Sequence, residues 1–201
     1  MKITWYGHSC FKIETDAGSV ILDPFQDGTV PGYAPLRLCA DLVLCSHEHS
    51  DHNGRSCVEI SGEPCAVKVD KIETWHDDAR GAKRGKNTIH ILSAEDMRLI
   101  HFGDLVCALT EKQVETLKDA DALLIPIGGY YTIDTEQALA IAEQLRPRVV
   151  IPMHYRDARH GFPVISTSDA FRDTCYHPVE YAGNTFELSR ETEPQTAFLT
   201  I

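Results

Sequence analysis

The segment Ser46-His47-Glu48-His49-Ser50-Asp51-His52 places three imidazoles and the Asp51 carboxylate within residues 47–52. Neutral imidazole nitrogen and carboxylate oxygen are the donors that Zn²⁺ and related divalent ions take. In extended backbone, alternate side chains share a face, so His47 and His49 would point the same way and reach one ion. Asp51 and His52 stand where the chain turns and could serve a second ion nearby. The apolar run at residues 41–45 comes directly before. Polar side chains just past a strand's carboxyl end are common in α/β binding sites. A surface loop that is only rich in histidine need show neither the spacing nor the strand.

The elements that must hold this segment are short. Residues 2–6, 10–14 and 19–23 read as strands, punctuated by Gly7 and an Asp16-Ala17-Gly18 turn. Residues 41–45 (DLVLC) form a buried strand, and 65–69, 88–92 and 97–102 are further strands. Residues 81–87 read as an exposed loop. Helical spacing appears at 111–117 and, most clearly, at 134–145, where Thr132 or Asp134 would cap and Pro147 would stop the helix. Strands follow at 122–125 and 149–151, a short helix at 168–175, and closing strands at 185–188 and 196–201. Runs of strands with helices between them predict a layered α/β or α+β domain with sheets of mixed direction. No repeat period and no linker divides the chain, so residues 1–201 are expected to form one domain.

Composition narrows the chemistry. With 201 residues, 43% apolar and 24% charged, the chain fits an ordinary globular protein. The formal charge of −11 opposes binding nucleic acid through its phosphates, and the short basic cluster Arg80, Lys83, Arg84 and Lys86 reads as a solvated loop. Seven cysteines, an odd number without a CxxC pair, lie mostly in apolar runs, which predicts buried reduced thiols. The start reads as a strand rather than a signal peptide, and no apolar run approaches the ~20 residues of a membrane helix. A cytoplasmic location without membrane contact is therefore expected.

His47-x-His49-x-Asp51-His52 resembles the HxHxDH signature of the metallo-β-lactamase superfamily. Further stretches are similar to a small stand-alone branch of Zn-type hydrolases, distantly like the ascorbate-6-phosphate lactonases. They are Gly7-His8-Ser9 with Asp23-Pro24, Trp75-His76-Asp77-Asp78, Arg84-Gly85-Lys86-Asn87-Thr88, His101-Phe102-Gly103-Asp104-Leu105, the run at 125–134, and Ile151-Pro152-Met153-His154-Tyr155. The resemblance implies an αββα sandwich of two mixed sheets with metals at one edge. It implies that His47, His49 and His76 hold one ion, that Asp51, His52 and His154 hold the other, and that Asp104 bridges them. Asp104 and His154 each follow an apolar strand, which agrees. Two divalent ions, Zn²⁺ with Mn²⁺ or Fe²⁺ as alternatives, are the implied cofactors. Asp51 is the implied proton acceptor, and Asp23 is a candidate to fix a ligand's second ring nitrogen. Where many relatives have Gly-His after Gly-Asp, this chain has Val106-Cys107, so substrate preference does not carry over.

The activity implied is hydrolysis of a small-molecule ester, lactone or phosphodiester by a metal-bridging hydroxide. RNA-processing relatives carry an added domain between the positions of Asp104 and His154, which this chain lacks. An iron-dependent redox enzyme of the sulfur dioxygenase kind is one alternative, although di-iron relatives replace the second histidine, here His49, with Glu. A non-catalytic binding module is the other. His8 reads as a hydrogen-bonded structural residue, His101 as a core residue or support for the ligands, and His90, His160 and His177 as ordinary. For Asp77 and Asp78 loop solvation or orientation of His76 is expected, and for Tyr130, Tyr131 and Tyr155 packing. Cys107 is a remote candidate to approach the site.

Overall fold

The computed structural model describes residues 1–201. The chain opens with three strands joined by tight turns, β1 (Lys2–Gly7), β2 (Cys10–Thr15) and β3 (Gly18–Leu22). After a loop come β4 (Leu38–Ala40), β5 (Leu42–Leu44), a 3₁₀ turn (Arg55–Cys57) and β6 (Val58–Ile60). The next strands are β7 (Lys68–Trp75), β8 (Lys86–Ala94) and β9 (Met97–His101). Helices then alternate with strands: α1 (Glu111–Leu117), β10 (Ala122–Pro126), α2 (Thr135–Leu145), β11 (Val149–Met153) and α3 (Asp169–Thr174). Three short strands finish the chain, β12 (Pro178–Glu180), β13 (Thr185–Glu187) and β14 (Gln195–Phe198).

All of these strands but β4 and β6 form two mixed sheets, the expected α+β arrangement. One has the order β13-β1-β2-β3-β5, antiparallel except where β3 meets β5. The other has the order β12-β14-β11-β10-β9-β8-β7, parallel from β12 to β9 and antiparallel beyond. Their facing sides meet in one continuous apolar core. Ile3, Phe11, Ile13, Val20 and Leu22 come from the first sheet, and Leu92, Leu99, Ala122, Leu124 and Val149 from the second. In β10 and β11 every residue is buried, as expected for parallel strands covered on both faces. α2 supplies Ala138, Ile141 and Leu145 to this core. It is capped by Asp134 in a reciprocal box with Gln137, one of the two caps predicted.

The outer face of the five-stranded sheet is covered differently. Cys10 and Ile21 turn away from the main core and pack with Phe25, Val30, Leu36, Ala40 and Val58. That layer is loop and the two-stranded ribbon β4-β6, not helix.

The strand read at 65–69 lies further on, at β7. Its sequence KVDKIETW carries charge on a sheet edge, where side chains meet water and the apolar alternation fades. β4, β6 and β12, each three residues long, give no periodic signal. The cysteines are corrected as well. All seven are free, but only Cys10 is buried, and Cys39 is exposed. No helix is long and apolar enough to cross a membrane.

Candidate metal centre

Six strand ends meet at one edge of the sandwich. His8 follows β1, Asp23 follows β3, His76 follows β7 and His154 follows β11, each as the next residue. The 47–52 segment leaves β5, and Asp104 lies three residues past β9. Three of these residues adopt left-handed backbone: His8 (φ 50°), Asp23 (φ 44°) and His154 (φ 53°). Such conformations cost on the order of 1–3 kcal/mol each for a non-glycine residue and persist only where the surroundings enforce them. Here they turn the chain sharply, so that the side chain crosses the sheet edge.

The 47–52 segment is bent rather than extended. The rings of His47 and His49 nevertheless meet at 4.7 Å, and those of His47 and His76 at 4.6 Å. One donor atom from each of these three residues lies within 4.8 Å of the others. The same holds for Asp51, His52 and His154, joined there by His8, and for His47, His52 and Asp104. Asp104 stands between the two sets. Its Oδ1 is 3.2 Å from His52 Nε2 and 3.4 Å from His154 Nε2. Its Oδ2 is 3.4 Å from His76 Nε2 and 4.0 Å from His47 Nε2.

Asp23 fixes an imidazole of each set. Its buried carboxylate accepts the Nδ1–H of His52 at 2.7 Å, which leaves His52 Nε2 as a lone pair facing Asp104. Ser46 donates its backbone N–H to Oδ1 and its hydroxyl to Oδ2, both at 2.6 Å. With its one proton given to Asp23, the Ser46 hydroxyl accepts from His47 Nδ1 at 3.0 Å. That makes His47 Nε2 the lone pair.

Asn87, fully buried, holds Asp104 in place. Its Oδ1 accepts the Asp104 N–H at 2.9 Å, while its Nδ2 donates to Phe102 O and Thr74 Oγ1. His101 donates from Nε2 to Ser9 O and accepts the Gly103 N–H, so it supports the turn before Asp104.

The electrostatics suit a cation. Burial, with His52 nearby, pushes His47 down to about 3, a neutral ligand form. Burial opposes charge on Asp104, yet His154 and His52 hold its carboxyl well below the ordinary carboxylate range. Asp23 is likewise held low against its burial, chiefly by His52 and His101. His52 is itself raised well above the usual imidazole value despite burial, because Asp104 and Asp23 favour positive charge at that spot. His47 Nε2, His52 Nε2, His154 Nε2 and Asp104 Oδ1 are buried without any hydrogen-bond partner. Buried polar atoms are rarely left so, and divalent ions held by the two imidazole sets would satisfy all four.

The centre opens onto a cavity of about 550 Å³ whose wall includes His49, Asp51, His76, Asp104, Arg84 and Tyr131. The Arg84 guanidinium lies 5.0 Å from the Tyr131 ring centre. The Asp77 carboxylate ties its loop by accepting four backbone N–H groups, from Ala79, Gly81, Lys83 and Arg84. Burial opposes this, but the four donors hold Asp77 down at about 2.

All seven candidate ligands, with Asp23, therefore lie together. Of the tyrosines, Tyr131 reaches the cavity, Tyr130 is exposed, and Tyr155 packs on Trp5. Cys107 packs against the core and is not on the cavity wall. Sequence reasoning left Ser46 and Asn87 without a role. Ser46 adjoins the histidine run and Asn87 stands in a quoted stretch, but only the fold shows what each touches.

The family model described as the beta-lactamase superfamily domain matches residues 2–154. The chain belongs to this superfamily. Among curated superfamily relatives, it is 28% identical to a UPF0173 metal-dependent hydrolase of Bacillus velezensis, over 94% of this chain and 100% of that one. It is 32% identical to a UPF0173 protein of Pyrococcus abyssi, over 77% and 83%. A crystal structure from Thermotoga maritima, assigned to the Zn-dependent hydrolases of the metallo-beta-lactamase superfamily, superposes with a TM-score of 0.77. It is 32% identical and covers 98% of this chain and 97% of that one. The beta-lactamase superfamily fold and the clustered His and Asp donors thus agree.

Proposed function

We propose that the chain is a dinuclear metal-dependent hydrolase, acting as one domain on a small-molecule ester, lactone or phosphodiester. The observation that carries this reading is Asp104. Its two oxygens face different imidazole sets, one of His47 and His76 and one of His52 and His154. In this reading His47, His49 and His76 hold the first ion, Asp51, His52 and His154 the second, and Asp104 both. The metal-dependent hydrolases among its relatives support it.

Divalent ions, Zn²⁺ by donor type, supply Lewis acidity and a hydroxide nucleophile at neutral pH when bound. The chain supplies placement. Asp23 keeps His52, and through Ser46 His47, in the tautomer that offers Nε2. Asp51 lines the cavity, and His8, at 3.3 Å from its Oδ2, helps hold its carboxyl well below the ordinary range against its burial. It is ionised at neutral pH, and its oxygen left free of metal would accept a proton from the attacking water. Arg84 and Tyr131 bound the space for substrate, and a cavity of about 550 Å³ suits a small molecule.

The test is a screen of chromogenic phosphodiesters, esters and lactones on the zinc-loaded protein. Activity should vanish with chelator and in His76→Ala and Asp104→Ala, with losses of at least a hundredfold. Activity that survives chelation would end the hydrolase reading. Oxygen consumption by an iron-loaded sample would favour the redox alternative instead.

A further inference from the structure

We infer that His8 is a fifth side-chain ligand of the second metal position, beside Asp51, His52, His154 and the shared Asp104, which leaves the first position, with four, the more open to substrate. The inference rests on the dinuclear reading above and goes beyond its seven ligands.

His8 is completely buried. Its Nε2 lies 3.3 Å from Asp51 Oδ2, and its ring centre lies 4.0 Å from that of His154 and 5.4 Å from that of His52. One donor atom from each of His8, Asp51, His52 and His154 falls within 4.8 Å of the rest. Around a five-coordinate ion with bonds of about 2.0–2.2 Å, neighbouring ligand atoms sit about 2.8–3.8 Å apart. Asp51 Oδ2 stands 3.3 Å from His8 Nε2 and 3.7 Å from His52 Nε2, within that range.

The backbone aims the ring there. His8 holds a left-handed φ of 50°. Its carbonyl accepts the Trp5 indole N–H at 3.0 Å and the His154 N–H at 3.2 Å, which ties the turn to the strand end that carries another ligand.

The two positions are then unequal. His8, Asp51, His52, His154 and the shared Asp104 would make five side-chain donors, which fills a five-coordinate position. His47, His49, His76 and Asp104 make four, which leaves a fifth place for water or substrate. The four-donor position also faces the solvent side, since His49 is exposed and lies with His76 on the cavity wall. The second ion should therefore be held tightly, and the first should exchange and meet substrate.

The test uses the full chain loaded with two Co²⁺ ions, comparing wild type with His8→Asn. Asn tolerates left-handed backbone, so this variant spares the turn. We expect the affinity for the second ion to fall at least tenfold, the first to stay within twofold, and one hyperfine-shifted imidazole N–H resonance to disappear. Both affinities within twofold of wild type would overturn the inference. So would weaker binding with every imidazole resonance kept, which would make His8 a support for Asp51 only. If His8→Asn does not fold, a crystal structure of the zinc-loaded wild type decides. His8 Nε2 at about 2.0–2.1 Å from the second ion supports ligation, and a separation beyond 3 Å refutes it. A wild type that takes up no second ion fails the dinuclear reading itself.

Discussion

Asp23 touches no expected substrate space, yet it sets two imidazoles at once. Its carboxylate takes the His52 proton directly and orients His47 through the Ser46 hydroxyl. Removing such a support costs roughly 10–100-fold in metal affinity. Asp23→Ala should therefore weaken both positions by that factor, read by competition with a chromophoric chelator. A variant with wild-type affinity would contradict the tautomer argument. At this scale the sequence was legible where donors are neighbours in the chain, as at His47 to His52. His76, Asp104 and His154 needed the family resemblance, because only the strand ends bring them in. The roles of Ser46 and Asn87 were not legible, because a hydroxyl or an amide says nothing of its partner until β3 meets β5 and β8 meets β9.

Turns at the strand ends are the elements on which the site depends. Gly103 has φ 55°, and a Cβ there would run into Asn87 Oδ1 and Ser46. Gly103→Ala should displace Asp104 and lower metal content per chain at least tenfold. Gly28→Ala, with nothing within 4 Å, should change metal content little. Elemental analysis of the two proteins checks both. The 77–84 loop makes a pH-dependent prediction. Asp77 has a folded value of about 2, below its ordinary 3.8, so its stabilisation is present above about pH 4 and is lost as pH falls through about 2. Asp77→Ala should melt below wild type at pH 7, with the gap closing toward pH 2 when both are scanned in chelator. An unchanged gap would refute the role given to its four backbone bonds. Longer periodic elements such as α2 were read nearly to the residue, whereas β7 slipped because its charges answer to solvent at a sheet edge rather than to a core.

Across the molecule, one core and one metal centre share the same strands. The apolar core runs from Met1 to Leu199 and joins both sheets. Leu99 is fully buried in it, and Leu99→Ala should cost about 2–5 kcal/mol in denaturant unfolding. The centre adds to that stability by linkage, because ions bind the folded chain and not the scattered ligands of the unfolded one. At an ion concentration a hundred times the dissociation constant the gain is about 2.7 kcal/mol. The layered class was legible from alternating strands and helices. The loop-and-ribbon cover on the five-stranded sheet was not, since Phe25, Val30 and Leu36 carry no periodic pattern. The central claim, that seven side chains gather two ions about Asp104, is tested most directly by calorimetric titration of metal-free protein with Zn²⁺. Wild type should bind two ions per chain and Asp104→Ala should lose high-affinity binding at both positions. A wild type that binds fewer than one ion, or an Asp104→Ala variant that still binds two with unchanged affinity, would contradict it.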